Sequence, residues 1–166
     1  MTPNILLERL KEFTEETTKD MILEVRVKSG ETGPKERAAE VYTMRLPNKD
    51  AETKQIPYIL LQFIKGADDQ KEGEQPESEC AVRFVFATYS EDGGKGAMDV
   101  LNLITSIRFA VIIKCGIVQQ FSIKSTILYI VYPDSTPPYF MGEMMTLWEM
   151  PTIQREVPLY DELCAE

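Results

Sequence analysis

Between Tyr89 and Arg108 an acidic, glycine-rich turn, Tyr-Ser-Glu-Asp-Gly-Gly-Lys-Gly, runs directly into the most apolar helical pattern of the chain. Val100, Ile104, Ile107 and Val111 recur at three- and four-residue steps, which places them on one stripe of a helix, with Leu101 and Arg108 beside it. Lys114-Cys-Gly116 supplies a stop. A strand-like run, Ala81 to Thr88, precedes this helix. Two more follow, Phe121 to Tyr132 and Tyr139 to Met150, joined by Pro-Asp-Ser-Thr-Pro-Pro and therefore read as a hairpin with a wide loop. A single apolar helix with strands on both sides in sequence has to bury its stripe on a sheet.

The N-terminal half adds a second helix and more strands. Thr2 is placed to cap a helix with Pro3 at its first position, and Leu6, Leu10 and Phe13 then share a face. The opposite face carries Glu8, Glu12, Glu15 and Glu16, so this helix, running to about Asp20, is predicted to cover a sheet with one side in water. Leu23, Val25 and Val27 alternate with Glu24, Arg26 and Lys28, the period-two signature of a half-buried strand, and Ser29 to Pro34 is turn-rich. A second strand is predicted over Val41 to Leu46, and a third over Pro57 to Ile64, which is apolar enough to be buried on both faces. Ala67 to Cys80 mixes charge, Pro and Gly without apolar rhythm and is predicted to be a mobile acidic surface loop. The order predicts an α+β fold: a mostly antiparallel sheet of about five to six strands carrying two main helices. Residues 1–166 form one domain in this reading, with a short C-terminal tail from about Val157.

Composition narrows the chemistry. An apolar fraction of 43% over 166 residues is enough for one folded core. Net charge −9, from 18 basic and 27 acidic residues, repels phosphate backbones and argues against nucleic acid as a primary ligand. There is no histidine, and Cys80, Cys115 and Cys164 form no C-x-x-C pair, so the usual zinc sets and Ser-His or Cys-His catalytic arrangements cannot be assembled. The start of the chain lacks the basic and apolar regions of a secretory signal. The longest mostly apolar stretch, Val100 to Val118, is broken by Asn102, Thr105, Ser106, Arg108 and Lys114, so no membrane partner is expected. Gly93-Gly-Lys-Gly96 has neither the spacing nor the hydroxyl of a phosphate loop, and Glu91, Asp92 and Asp99 crowd the same helix start. Glu91 with Asp92, or Glu143 with Glu149, are ordinary surface acids in this reading. No catalytic, cofactor or metal residue is assigned.

One cluster is unusual. Phe140, Met141, Met144, Met145, Trp148 and Met150 put apolar side chains on both faces of a single strand. Either one face meets another subunit or both are covered within the chain. On the first alternative, Phe140, Met144 and Trp148 are the candidate protein-interface residues.

Three segments carry a resemblance. They are Pro57-Tyr-Ile-Leu-Leu-Gln-Phe63; Val85-Phe-Ala-Thr-Tyr-Ser-Glu-Asp92, leading through Asp99-Val-Leu-Asn-Leu-Ile104 to Ile107-Arg108; and Pro138-Tyr-Phe-Met-Gly-Glu143 with Thr146-Leu-Trp-Glu-Met-Pro151. In order and spacing, from the first helix to about Glu156, the chain resembles the minor tail and tail-completion proteins of long-tailed phages and prophages, especially the tail terminators. The acidic segment Ala67 to Cys80 and the tail after Val157 depart from that pattern. The resemblance implies a non-enzymatic ring subunit, commonly of a hexamer, in the virion tail after assembly in the bacterial cytoplasm. One ring face would dock on the tail tube protein and the other on a head-side neck or stopper protein. Another head-tail joining or minor tail component is the nearest alternative. A small cytosolic ligand-binding domain or enzyme, motivated by the glycine-rich turn, is the alternative of a different class.

Overall fold

The computed structural model describes residues 2–27, 35–47, 55–71, 74–114 and 121–152. Among them the order is α1 (Pro3–Thr18), β1 (Leu23–Glu24), β2 (Glu36–Arg37), β3 (Glu40–Thr43), β4 (Tyr58–Asp69), β5 (Glu77–Tyr89), α2 (Gly93–Lys114), β6 (Ser122–Ile123), β7 (Leu128–Val131) and β8 (Tyr139–Glu149). Six strands form one mixed sheet in the order β3-β4-β5-β8-β6, with β7 also pairing β8, and β1 with β2 makes a separate two-stranded ribbon. Two helices on a sheet of this size are the α+β arrangement that the sequence pattern predicts.

The sheet is built around β5. It pairs antiparallel with β4 from Tyr58↔Ala87 to Asp69↔Glu77, with a register shift between Phe63 and Lys65. Its other edge pairs antiparallel with β8 from Glu79↔Glu149 to Tyr89↔Tyr139. Only β3 runs parallel to its neighbour, with Val41 beside Ile59. It ends at Thr43; the next residue, Met44, has a φ of 65° that turns the chain out of the strand while its N–H still donates to the Leu61 carbonyl at 2.7 Å. That sharp exit is why the strand predicted to reach Leu46 is shorter.

Period-two alternation then assigns sides. Ile59 and Leu61 of β4, Val82, Phe84 and Phe86 of β5, and Met144 and Trp148 of β8 face the helices and are fully or almost fully buried. Leu6, Leu10 and Phe13 of α1 and Val100, Leu103, Ile104, Ile107 and Val111 of α2 close that layer. A smaller apolar cluster, Ile56, Tyr58, Leu60, Val85 and Ala87, lies on the opposite side of the sheet. By length and composition α2 would suffice to cross a membrane, yet its apolar stripe is occupied by the sheet.

Three expectations are revised. The strand predicted over Leu23 to Val27 is strand only at Leu23–Glu24, paired with β2 outside the main sheet. The segment Ala67 to Cys80, expected as a loop, is largely hairpin: Ala67–Asp69 belongs to β4 and Glu77–Cys80 to β5. It lacks apolar alternation because its side chains are mostly exposed; the backbone ladder holds it, helped by the Ser78 hydroxyl donating to the Asp68 carboxylate across the strands at 2.6 Å. The run Phe121 to Tyr132 is split into β6 and β7, both antiparallel to β8. The proposed tail from Val157 lies outside the described residues.

Candidate protein-interaction surface

The glycine-rich turn is a structural junction. The Asp92 carboxylate accepts hydrogen bonds from the Gly94 and Lys95 N–H groups at 2.9 and 3.3 Å, capping α2 with a negative charge at the position an anion would otherwise take. Gly96 is required by contact: a Cβ there would lie 2.2 Å from the Phe140 ring. Its carbonyl accepts from the buried Thr88 hydroxyl at 3.1 Å, which ties the helix start to β5. At α1 the expected cap is only partial, since Thr2 makes no side-chain bond and only its carbonyl accepts, from Ile5 N–H at 3.0 Å.

The candidate interface residues point the other way from an interface. Phe140, Met144 and Trp148 lie on the helix side of β8 and are 5%, 0% and 0% exposed, enclosed by the chain itself. The Trp148 indole N–H donates to the Thr146 hydroxyl at 2.8 Å, and that hydroxyl donates to the Val82 carbonyl at 3.0 Å, so even the polar atoms are satisfied inside. These three residues are therefore core. Alternation sends the intervening Met141, Met145 and Leu147 to the helix-free side, where they are half-buried. The run of methionines that reads as one cluster is two half-clusters separated by the sheet.

The carboxylates proposed and set aside as pairs are likewise committed elsewhere. Glu143 is held by Arg83 at 2.5–2.6 Å across the β5–β8 ladder, and Glu149 accepts from the Ser122 hydroxyl at 2.5 Å. Six residues apart on one strand, they are separated by roughly 20 Å, too far to share a proton or a substrate bond. Among the described residues no group of three potential ligands is placed to hold a metal ion. Burial, with some help from the Glu79 charge, pushes the Cys80 thiol up to about 11, so it behaves as an inert apolar side chain. Among the described residues three shallow grooves stand out. The most apolar, about 480 Å³, is lined by Tyr132, Tyr139 and Met141. The others, of about 450 and 380 Å³, flank the base of the β4–β5 hairpin. None of the three includes a residue of the turn 93–99.

What the surface does carry is apolar area on elements that could meet another protein. β7 pairs with β8 and carries no charged residue and no proline. Leu128, Tyr129 and Ile130 are 65%, 44% and 47% exposed. Such an edge lacks the usual guards against strand pairing. Beside it, the outer face of α2 exposes Phe109 at 53% and Ile113 at 79%. Arg108 joins the two elements. Its guanidinium lies 5.0 Å from the Phe109 ring centroid and 4.7 Å from that of Tyr129, and it donates to the Tyr129 hydroxyl at 2.7 Å. Arg108 Nε is enclosed without an acceptor among the described residues. Sequence reading missed this surface because Phe109 and Ile113 fall in a helix already judged broadly apolar. The available signal was the uninterrupted Leu128-Tyr-Ile-Val131, which lacks the polar alternation of a half-covered strand.

No protein-family model matches the chain, and no curated protein matches it.

Proposed function

We propose that this chain is a tail-terminator subunit of a long-tailed phage or prophage, a non-enzymatic protein that closes into a ring at the head-proximal end of the tail tube. It would be made in the bacterial cytoplasm and end in the virion tail. Its partners would be further copies of itself, the tail tube protein and a head-side neck protein. The observation that carries the proposal is the unguarded apolar edge at β7, continuous through Arg108 with the exposed apolar face of α2. Surfaces of that kind are characteristic of contacts with protein. The sequence resemblance along β4, β5, α2 and β8 supplies the particular assembly.

The test uses tail tube protein of the same phage, polymerised alone and in the presence of the purified chain, with tubes imaged by electron microscopy. Shorter tubes bearing an extra ring at one end are expected. Tubes of unchanged length with no added density would refute the assignment. A second arm presents preformed heads carrying neck protein: binding there without binding to tubes would transfer the chain to the head side of the joint.

A further inference from the structure

The distal β4–β5 hairpin is the most acidic feature of the fold. Ala67 to Cys80 contains six acidic residues and one lysine. β8 stops pairing with β5 at Glu79↔Glu149, so beyond that point β4 and β5 continue as a two-stranded arm to Asp69↔Glu77. Asp68, Asp69, Glu74 and Glu77 are exposed on it. The single lysine, Lys71, is shared between Asp69 at 2.8 Å and Glu74 at 4.0 Å, and Glu79 at the base is paired with Lys124 at 2.6 Å, so the distal part of the arm keeps a net negative charge.

The C-terminal half of α2 is the reverse. From Leu101 to Lys114 its only charged residues are Arg108 and Lys114, and neither forms an ion pair among the described residues. Arg108 lies against the rings of Phe109 and Tyr129, and Lys114 lies 4.8 Å from the Phe13 ring centroid. Arg108, towards β7, and Lys114, towards α1, flank the exposed Phe109 and Ile113 from opposite sides of the helix, which gives this end of α2 a cationic rim around apolar area, a surface suited to carboxylates.

Resting on the ring assembly proposed above, we infer that the acidic β4–β5 arm of one copy docks on the Arg108–Lys114 surface of the next. The occupant is thus a second copy of this chain. The two patches are different surfaces of one molecule, so the contact is head-to-tail, the type that closes into a ring when its rotation allows. Charge complementarity fixes which end of each copy meets the other and penalises arm-to-arm contact in a chain of net charge −9.

Two charge-reversed proteins test it: Arg108→Glu with Lys114→Glu, and Glu74→Lys with Glu77→Lys. Sedimentation equilibrium is measured for each alone and for their equimolar mixture, with circular dichroism confirming that each is folded. Wild type is expected to self-associate, and to do so on the order of tenfold more weakly when salt is raised from about 50 mM to about 500 mM. Each variant alone is expected to associate at least about tenfold more weakly than wild type. The mixture should recover association, because each reversed arm then faces a reversed patch. A wild type that stays monomeric up to millimolar concentration, variants that associate like wild type, or a mixture no better than its components would each overturn the contact. If a variant fails to fold, the salt series on wild type decides: association indifferent to salt, or strengthened by it, rules the contact out. Binding of the monomer to tube ends would still leave the tail-terminator assignment standing, so the two failures are distinguishable.

Discussion

The two sides of the sheet are built from the same strands, yet they are finished differently. On the helix side, Phe84, Phe86, Met144 and Trp148 meet Leu6, Leu10, Val100, Ile104 and Ile107 and are sealed. On the other side no described helix packs. There a smaller cluster, Ile56, Tyr58, Leu60, Val85 and Ala87, is flanked by Tyr42, Tyr89 and Tyr139, and the Arg83–Glu143 pair is half-buried. At the edge, Leu128 and Ile130 are open to water. Apolar residues on the sealed side contribute to stability by burial. Those at the open edge contribute little until something covers them. The contrast separates what holds the monomer together from what is available for assembly.

The strongest blow to the sealed side is Trp148→Ala. It removes a fully buried indole and the hydrogen bond that its N–H donates to the Thr146 hydroxyl, and a loss of about 3–5 kcal/mol in urea unfolding is expected. A loss below about 1 kcal/mol would mean that the helix layer does not close over β8. Gly96→Ala comes next, since its methyl would press on the Phe140 ring; about 1–3 kcal/mol should be lost, and wild-type stability would show that the turn can shift away.

Alkaline titration probes the same interior more gently. The Cys80 thiol is raised in the folded chain from an ordinary 9.0 to about 11, so the folded state holds its proton after the unfolded state has released it. Stability from this group is complete below about pH 9 and is lost as pH rises towards about 11, the folded state binding more protons over that interval. Cys80→Ala should flatten the fall of melting temperature between those limits. An identical fall in both proteins would place its origin elsewhere, in Tyr42 for example, raised to about 12 by burial and by Glu40. The smallest effect on stability is expected at the open edge. Leu128→Ser with Ile130→Ser should change unfolding free energy by about 0.5 kcal/mol or less while weakening self-association. Substantial unfolding by this pair would show β7 to be part of the core.

Much of this arrangement was legible in the sequence where burial imposes a period. The stripe Val100, Ile104, Ile107 and Val111 identified the helix by its period, and the short, continuous apolar runs of β4, β5 and β8 identified the central strands, because strands covered on both faces need apolar residues at successive positions. Where burial is absent the pattern fell silent. Ala67–Asp69 and Glu77–Cys80 pair through the backbone ladder and one polar side-chain bond, Ser78 to Asp68, with no apolar period, so composition suggested a loop. β1 and β2 are two-residue pairings below the reach of any period. Trp148 and Met144 were recognisable as large apolar residues, but their side of the sheet depended on register with β5, which a single chain does not display. The same ambiguity made a core triad resemble an interface, while the exposed Phe109 and Ile113 passed as core.

Hydrogen exchange across a concentration series measures the distinction between sealed and open surfaces most directly. As the chain self-associates, backbone amides of Leu128–Val131 should become protected while those of β5 and of the buried stripe of α2 keep the slow exchange they already have in the monomer. Exchange at β7 that stays equally fast in the monomer and in the assembled particle would contradict the account, because the open apolar edge would then have no protein to cover it.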